Sequence, residues 1–130
     1  MSDLLVDSSV WIDFFRGVRD VVRRVDAALA RDRVAVCGPV VAEVLSGART
    51  RADFARVKSA FEGLELLPDP SDPWTLVAEA RFALARRGTQ AALVDVLIAL
   101  TAAEANHVLL TRDSDFPRIA AVVPLEVQQI

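Results

Sequence analysis

The stretch that decides the fold class is LLVDSS, residues 4–9. Its three apolar residues in a row, followed by an acid, indicate a short strand that is buried on both faces. Similar apolar runs occur at residues 34–37, 64–67 and 107–111, with a shorter candidate at 125–127. Strands without polar alternation are typical of parallel sheets that are covered by helices on both sides. The sequence therefore predicts an α/β protein with a central parallel sheet.

The segments between these runs carry the helical period of apolar residues. Val18, Val21, Val25 and Leu29, for example, recur at helical spacing. Helices are predicted over residues 18–31, 39–46, 52–61, 74–87 and 93–106, after a first helix that Ser8 or Ser9 caps and that runs to about Arg16. No repeat or linker interrupts the alternation of strands and helices, so residues 1–130 are predicted to form one domain.

Composition narrows the class of protein. Apolar residues make up 53% of the 130 residues, which is enough to form a well-buried core. No apolar run reaches the roughly 20 residues that span a bilayer, and the first residues lack the pattern of a signal peptide. The single cysteine, Cys37, indicates a buried thiol in a cytoplasmic protein. The net charge of −3 argues against coating nucleic acid by bulk charge, but not against a nuclease whose acids bind metal.

A few acidic residues stand out from their surroundings. Asp7 ends the first strand, and Asp113 and Asp115 follow the fourth, whereas Glu43 and Asp95 lie in nearly all-apolar helical segments. Each has an ordinary alternative when taken singly. The aspartates that precede or open a helix can cap it, those after the fourth strand can form turns, and the glutamate can lie on a thin exposed stripe.

The shared position of these acids carries more information than any one of them. Ligands of an open parallel sheet bind beyond the carboxyl ends of the strands, where the strand order reverses. Two carboxylates about 6 Å apart repel by roughly 3 kcal/mol at an effective dielectric constant of about 20. Mg²⁺ or Mn²⁺ would relieve that repulsion and keep positions open for water and substrate. A single histidine, His107, and a single cysteine argue against a zinc site.

At these acids the sequence resembles the PIN-domain ribonucleases, and among them the VapC toxins of type II toxin–antitoxin systems. The motifs that carry the resemblance are LVDSSVWI at residues 5–12, the helical Glu43, DVLIA at residues 95–99 and LTRDSDF at residues 110–116. They follow one another in order over nearly the whole chain. The resemblance implies a three-layer α/β/α sandwich with strand order 3-2-1-4-5, in which strands one and four are neighbours.

The resemblance also implies which residues form the site. The expected catalytic residues are the four acids Asp7, Glu43, Asp95 and Asp113. The expected metal ligands are Asp7, Asp95, Asp113 and Asp115, around Mg²⁺ or Mn²⁺. The expected reaction is hydrolysis of an RNA phosphodiester by metal-activated water, leaving a 5′-phosphate and a 3′-hydroxyl.

Contacts to the RNA are expected from Ser9, Arg16 and Arg112. Ser9 matches a hydroxyl residue near the metal, with a helix cap as its alternative role. Thr111 matches a threonine that supports the loop of the fourth acid. Arg16 and Arg112 lie near helix ends or loops, and guanidinium groups suit phosphate oxygens.

Two protein partners are implied as well. One is a VapB-like antitoxin whose C-terminal segment covers the acidic site, and the other is a second copy of the chain, forming a homodimer. The residues that could line the groove for the antitoxin are aromatic: Trp11, Phe14, Phe15, Phe54 and Phe61. For at least half of them the alternative is an ordinary place in the hydrophobic core.

Other functions fit the residues less well. A phosphatase of the haloacid-dehalogenase type needs a second aspartate two residues after the first, where Ser9 stands, and a nearby lysine, for which Lys58 is poorly placed. A receiver-like phosphoacceptor needs an acidic pair and a late lysine, and the sequence has neither. A catalytically silent PIN-like module that binds RNA or a partner remains an alternative.

Overall fold

The computed structural model describes residues 3–130, and its central feature is a five-stranded parallel sheet flanked by helices. The strands are β1 (Leu4–Val6), β2 (Val34–Cys37), β3 (Glu65–Leu67), β4 (Val108–Thr111) and β5 (Val127–Gln129). The helices are α1 (Ser8–Phe15), α2 (Arg19–Leu29), α3 (Gly38–Ser46), α4 (Arg51–Glu62), α5 (Pro73–Arg86), α6 (Leu93–Glu104) and α7 (Asp115–Ile119).

Strand β1 lies in the middle of the sheet. Leu4 pairs with Val34 of β2 on one side and with Val108 of β4 on the other. The order is β3-β2-β1-β4-β5, which confirms the predicted fold class and strand order. Because the order reverses between β1 and β4, the carboxyl ends of these two strands form the crevice in which such sheets bind ligands.

Burial follows the apolar runs. Every residue of β1, β2 and β4 is buried, as continuous runs of apolar side chains in parallel strands predict. Helices α1 and α4 meet where the Trp11 indole contacts the Phe61 ring, with the ring centroids 5.1 Å apart. Among residues 3–130, no helix is both long and apolar enough to cross a bilayer.

Besides shifts of one or two residues at the ends of other elements, three details differ from the sequence prediction. The N-cap of α1 is Asp7, which confirms the capping role offered as the alternative for this acid, rather than Ser8 or Ser9. The fifth strand lies at Val127–Gln129 instead of 125–127, because backbone pairing with β4 places this exposed edge strand and apolar side chains do not. Helix α7 has no predicted counterpart, since its five residues are too few to show a helical period.

Candidate metal centre

Asp7 is fixed at the carboxyl end of β1. Its backbone N–H donates to the Leu110 carbonyl at 2.9 Å, which continues the pairing with β4. Its side chain is only 3% exposed, and Oδ2 accepts hydrogen bonds from the hydroxyl of Ser9 at 2.7 Å and from that of Thr111 at 3.0 Å. The Ser9 N–H also points at Oδ2, at 3.4 Å. Asp7 therefore acts as a helix cap and presents a rigidly held carboxylate to the crevice.

The loop after β4 is tied to the same cluster. The Thr111 hydroxyl accepts a hydrogen bond from the Asp113 N–H at 2.9 Å, and the Asp113 carboxylate accepts one from the Asp115 N–H at 2.9 Å. The second bond is the aspartate turn that the sequence offered as an alternative role for Asp113. Thr111 thus connects the backbone of the fourth acid to the side chain of the first, and the predicted support of the loop by Thr111 is confirmed.

Asp95 comes from the other side of the crevice. It lies in the first turn of α6, whose N-cap is Ala92, so the alternative that Asp95 caps a helix starting at Val96 is wrong. Asp95, Asp113 and Asp115 each offer a carboxylate oxygen, and these oxygens lie within 4.8 Å of one another. The start of α6 is therefore brought to the acids after β4, which the sequence alone could not establish.

Glu43 approaches from α3, and the residue as a whole is exposed, although its carboxyl group is partly shielded from solvent. Its Oε1 accepts a hydrogen bond from the Ser8 hydroxyl at 3.2 Å, and the same hydroxyl lies 3.5 Å from Asp7 Oδ1. Ser8 was absent from the predicted site, because nothing in the sequence distinguishes it from a capping serine. The structure places it between Asp7 and Glu43.

Burial and the neighbouring negative charges raise the pKa of two of these carboxyl groups, those of Asp95 and Glu43. The pKa of Asp95 is raised from 3.8 to about 6, first by burial and then by the negative charges of Asp113, Asp7, Glu43 and Asp115. Burial also raises the pKa of Glu43, with a smaller contribution from Asp7 and an opposing one from the Ser8 hydrogen bond. The separate segments therefore form one electrostatic unit.

Basic side chains do little to neutralise this unit. Within the described part of the chain, no lysine, arginine or histidine nitrogen comes within 4.0 Å of the carboxylates of Asp7, Glu43, Asp95 or Asp113. Among the described basic side chains, Arg118 is the one that lies within 4.0 Å of the Asp115 carboxylate, at 3.8 Å. Close, unneutralised carboxylates are the ligands that a hard divalent cation binds, so these residues fit Mg²⁺ or Mn²⁺.

Two of the three predicted substrate-contacting residues, Arg16 and Arg112, meet at Asp13. The Arg112 Nε lies 2.9 Å from Asp13 Oδ2, and the Arg16 Nη1 lies 4.0 Å from Asp13 Oδ1. The Ser9 hydroxyl is already used, since it donates to Asp7 and accepts from the Arg112 N–H at 3.1 Å. Asp13 was not predicted, although its position four residues after Ser9 places both on one face of α1.

Neither the Cys37 thiol nor a cavity at the far end of the sheet belongs to this centre. Burial raises the pKa of the Cys37 thiol to about 11, so it stays protonated and cannot serve as a nucleophile at neutral pH. A cavity of about 450 Å³ lies at the opposite end of the sheet, where Leu4 and Val108 begin their strands. Glu43 and Asp115 of the acidic group are exposed, so the group is accessible from solvent.

A fold of this strand order with an acidic centre between β1 and β4 defines a class of protein, and sequence comparison identifies it. The sequence model of the PIN domain matches residues 4–122. The chain is 31% identical over 129 residues to the ribonuclease VapC11 of Mycobacterium tuberculosis, covering 95% of this chain and 96% of the relative. The chain belongs to the PIN-domain family and, within it, to the VapC ribonucleases.

Solved structures agree with this assignment. The VapBC-5 toxin–antitoxin structure from Mycobacterium tuberculosis contains a chain with a TM-score of 0.69 and 26% identity, and the match covers 100% of both chains. VapBC2 from Rickettsia felis, solved with a DNA fragment from its promoter, gives a TM-score of 0.79 at 17% identity over 98% of each chain. The second likeness shows the shared fold alone. The resemblance that the motifs indicated is confirmed.

Proposed function

We propose that this protein is a Mg²⁺- or Mn²⁺-dependent endoribonuclease that acts in the cytoplasm as the toxin of a type II toxin–antitoxin pair. The observation that carries the proposal is the group formed by Asp95, Asp113 and Asp115, whose oxygens lie within 4.8 Å of one another without adequate neutralisation. Relatives that bear the name VapC ribonuclease support the substrate class. A divalent ion bound there would act as a Lewis acid toward the phosphate and lower the pKa of water.

Four aspartates would bind the metal ion. Asp95, Asp113 and Asp115 would hold the ion, with the buried Asp7 carboxylate on its β1 side as the fourth ligand. Asp7 can keep a constant position because two hydroxyls bind its Oδ2. Its other oxygen, Oδ1, accepts a long hydrogen bond from the Ser8 hydroxyl at 3.5 Å and is the oxygen that would bind the ion.

Glu43 is suited to accept a proton. Its Oε1 is occupied by the Ser8 hydroxyl, so Oε2 is the oxygen that would receive the proton of the attacking water. Burial and Asp7 raise its pKa, which makes the carboxylate a stronger base. The oxygen of the attacking water would bond to phosphorus as the bond to the 3′ oxygen breaks, and the departing oxygen would take a proton from solvent, which leaves a 5′-phosphate and a 3′-hydroxyl.

A VapB-like antitoxin is the proposed protein partner. The solved relatives include VapBC complexes, and an unneutralised acidic crevice would attract an arginine of the antitoxin. Trp11 and Phe61 are core residues, whereas Phe14, Phe15 and Phe54 are only partly buried and remain candidates for the groove. A homodimer is also proposed, because α5 exposes the aromatic side chains of Trp74 and Phe82, each 62% exposed.

Metal removal provides the test of this function. The purified full chain, freed of antitoxin, is incubated with total cellular RNA, and new 5′ ends are mapped by sequencing. EDTA is expected to abolish cleavage, and Mg²⁺ or Mn²⁺ to restore it at discrete positions, because the acids cannot bind and polarise a phosphate by themselves. Specific RNA binding without cleavage in either metal would instead identify the catalytically silent module. Cleavage that persists in EDTA would contradict the metal requirement.

A further inference from the structure

Asp13 lies outside the acidic group, yet it joins two separate segments beside that group. It follows Ser9 by one helical turn on α1, and its carboxylate faces Arg112 from the loop after β4 at 2.9 Å. Its other oxygen lies 4.0 Å from Arg16, at the C-terminal end of the same helix. Both arginines that the sequence singled out for RNA contact are thus gathered by one carboxylate.

Arg112 is held at two points. Its backbone N–H donates to the Ser9 hydroxyl at 3.1 Å, and its side chain binds Asp13 through Nε. Arg112 also stands in the chain between Thr111 and Asp113, whose polar groups belong to the acidic centre, so its backbone is anchored at the edge of that centre. A guanidinium held through Nε keeps Nη donors for the paired hydrogen bonds that a phosphate accepts.

We propose that Asp13 is a positioning residue that orients Arg112, together with Arg16, as a phosphate-binding arm beside the carboxylates. The inference rests on the proposed ribonuclease function. Ordering a free arginine on a ligand costs side-chain entropy, and the contact with Asp13 would remove part of that cost before RNA arrives. The arm would offset the repulsion between the acids and the RNA backbone.

Replacing Asp13 with asparagine changes the Kd for RNA in opposite directions, depending on whether Asp13 screens the charge of the arginines or positions them. If Asp13 merely screens the arginines, Asp13→Asn removes a negative charge and tightens RNA binding. If Asp13 positions them, Asp13→Asn raises the Kd by about fivefold, because an ion pair of this exposure contributes up to about 1 kcal/mol. The probe is a short fluorescein-labelled oligouridylate, measured by fluorescence anisotropy in Ca²⁺. A Kd that is unchanged or lower would overturn the proposal.

Control variants separate positioning from general effects. Asp53→Asn removes a carboxylate that faces Arg56 at 3.5 Å on α4, and it is expected to leave the Kd unchanged. In an Arg112→Ala background, Asp13→Asn is expected to add less than its single-variant effect, since one of its two partners is gone. If Asp13→Asn does not fold, Arg112→Lys serves instead, because lysine keeps the charge and loses Nε. A wild-type Kd for Arg112→Lys would overturn the proposal.

Catalysis distinguishes failure of this inference from failure of the proposed function. On an oligoribonucleotide that contains a mapped cleavage site, Asp13→Asn is expected to raise KM with kcat held within about twofold in Mg²⁺, since the acids are untouched. A fall in kcat with KM unchanged would overturn the positioning role. A wild-type chain that binds the probe but does not cut any RNA would reject the nuclease, while the Kd comparison would still decide the role of Asp13.

Discussion

Asp95→Asn is expected to lower Mg²⁺-dependent RNA cleavage by two to three orders of magnitude, on the order of 3–4 kcal/mol of transition-state stabilisation. Asparagine has nearly the same shape as aspartate but lacks the charge that would bind the ion. Asp95 also sits where Asp113 and Asp115 converge, so its loss leaves an incomplete ligand set. The measurement is the initial cleavage rate of wild type and variant at saturating Mg²⁺.

Asp26→Asn provides the matched control for this comparison. Asp26 is an exposed aspartate on α2, away from the crevice, and its neutralisation changes the net charge by the same amount. Its cleavage rate is expected to match that of wild type. Equal rates for Asp95→Asn and wild type would remove Asp95 from the catalytic assignment.

Thr111→Val is expected to lower both stability and activity. Thr111 is fully buried, and its hydroxyl donates to Asp7 and accepts from the Asp113 N–H. Valine has a similar shape but leaves the Asp7 carboxylate with one hydrogen bond fewer and the Asp113 N–H without its acceptor. The expected loss is about 1–3 kcal/mol in the free energy of unfolding. Cleavage is expected to fall at least about tenfold, because Asp7 and Asp113 are no longer held in position relative to each other.

Serine at this position separates the hydroxyl from the methyl group. Thr111→Ser is expected to recover most of the cleavage. Thr101→Val is the control for a buried threonine, since its hydroxyl donates only to the Leu97 carbonyl within α6. Its melting temperature can change, but its cleavage rate is expected to stay close to that of wild type. A normal rate for Thr111→Val would show that the hydroxyl bridge does not align the acids.

The sequence predicts the site best where acids interrupt apolar runs. Asp7 and Asp113 come directly after or close behind buried strands, and the sheet brings the ends of those strands together. Asp95 was predicted from its apolar surroundings, but its contact with the other acids depends on how α6 packs. That packing follows from many weak apolar contacts, which leave no local signature in the sequence.

The residues that the sequence missed are those whose role depends on an oriented side chain. Ser8 is of a residue type that commonly caps helices, and its hydroxyl becomes a partner of Glu43 only because α3 packs close to it. Asp13 has the helical spacing that places it beside Ser9, but its pairing with Arg112 needs the loop after β4. Both depend on contacts between segments that are distant along the chain.

The pKa of Asp95 gives the central claim a measurable consequence. Because its pKa is raised to about 6 in the folded chain, the neutral form is favoured, and the stability that this provides is present below about pH 4 and lost as the pH rises through 6. Above that range, repulsion between the charged carboxylates destabilises the folded, metal-free chain. Since Asp95 is partly exposed, solvent screening reduces this loss in the free energy of unfolding to about 1 kcal/mol, or roughly 4 °C in melting temperature.

The most direct test of a shared cation site is therefore the melting temperature of wild type and Asp95→Asn at about pH 7.5, first in EDTA and then with increasing Mn²⁺. In EDTA the variant is expected to melt roughly 4 °C above wild type, because one repelling charge is gone. Mn²⁺ is expected to reverse that order, since an ion at about a hundred times its Kd stabilises the wild type by about 2.7 kcal/mol and the variant by much less. An equal Mn²⁺-induced rise in both proteins would contradict a metal site built on these acids.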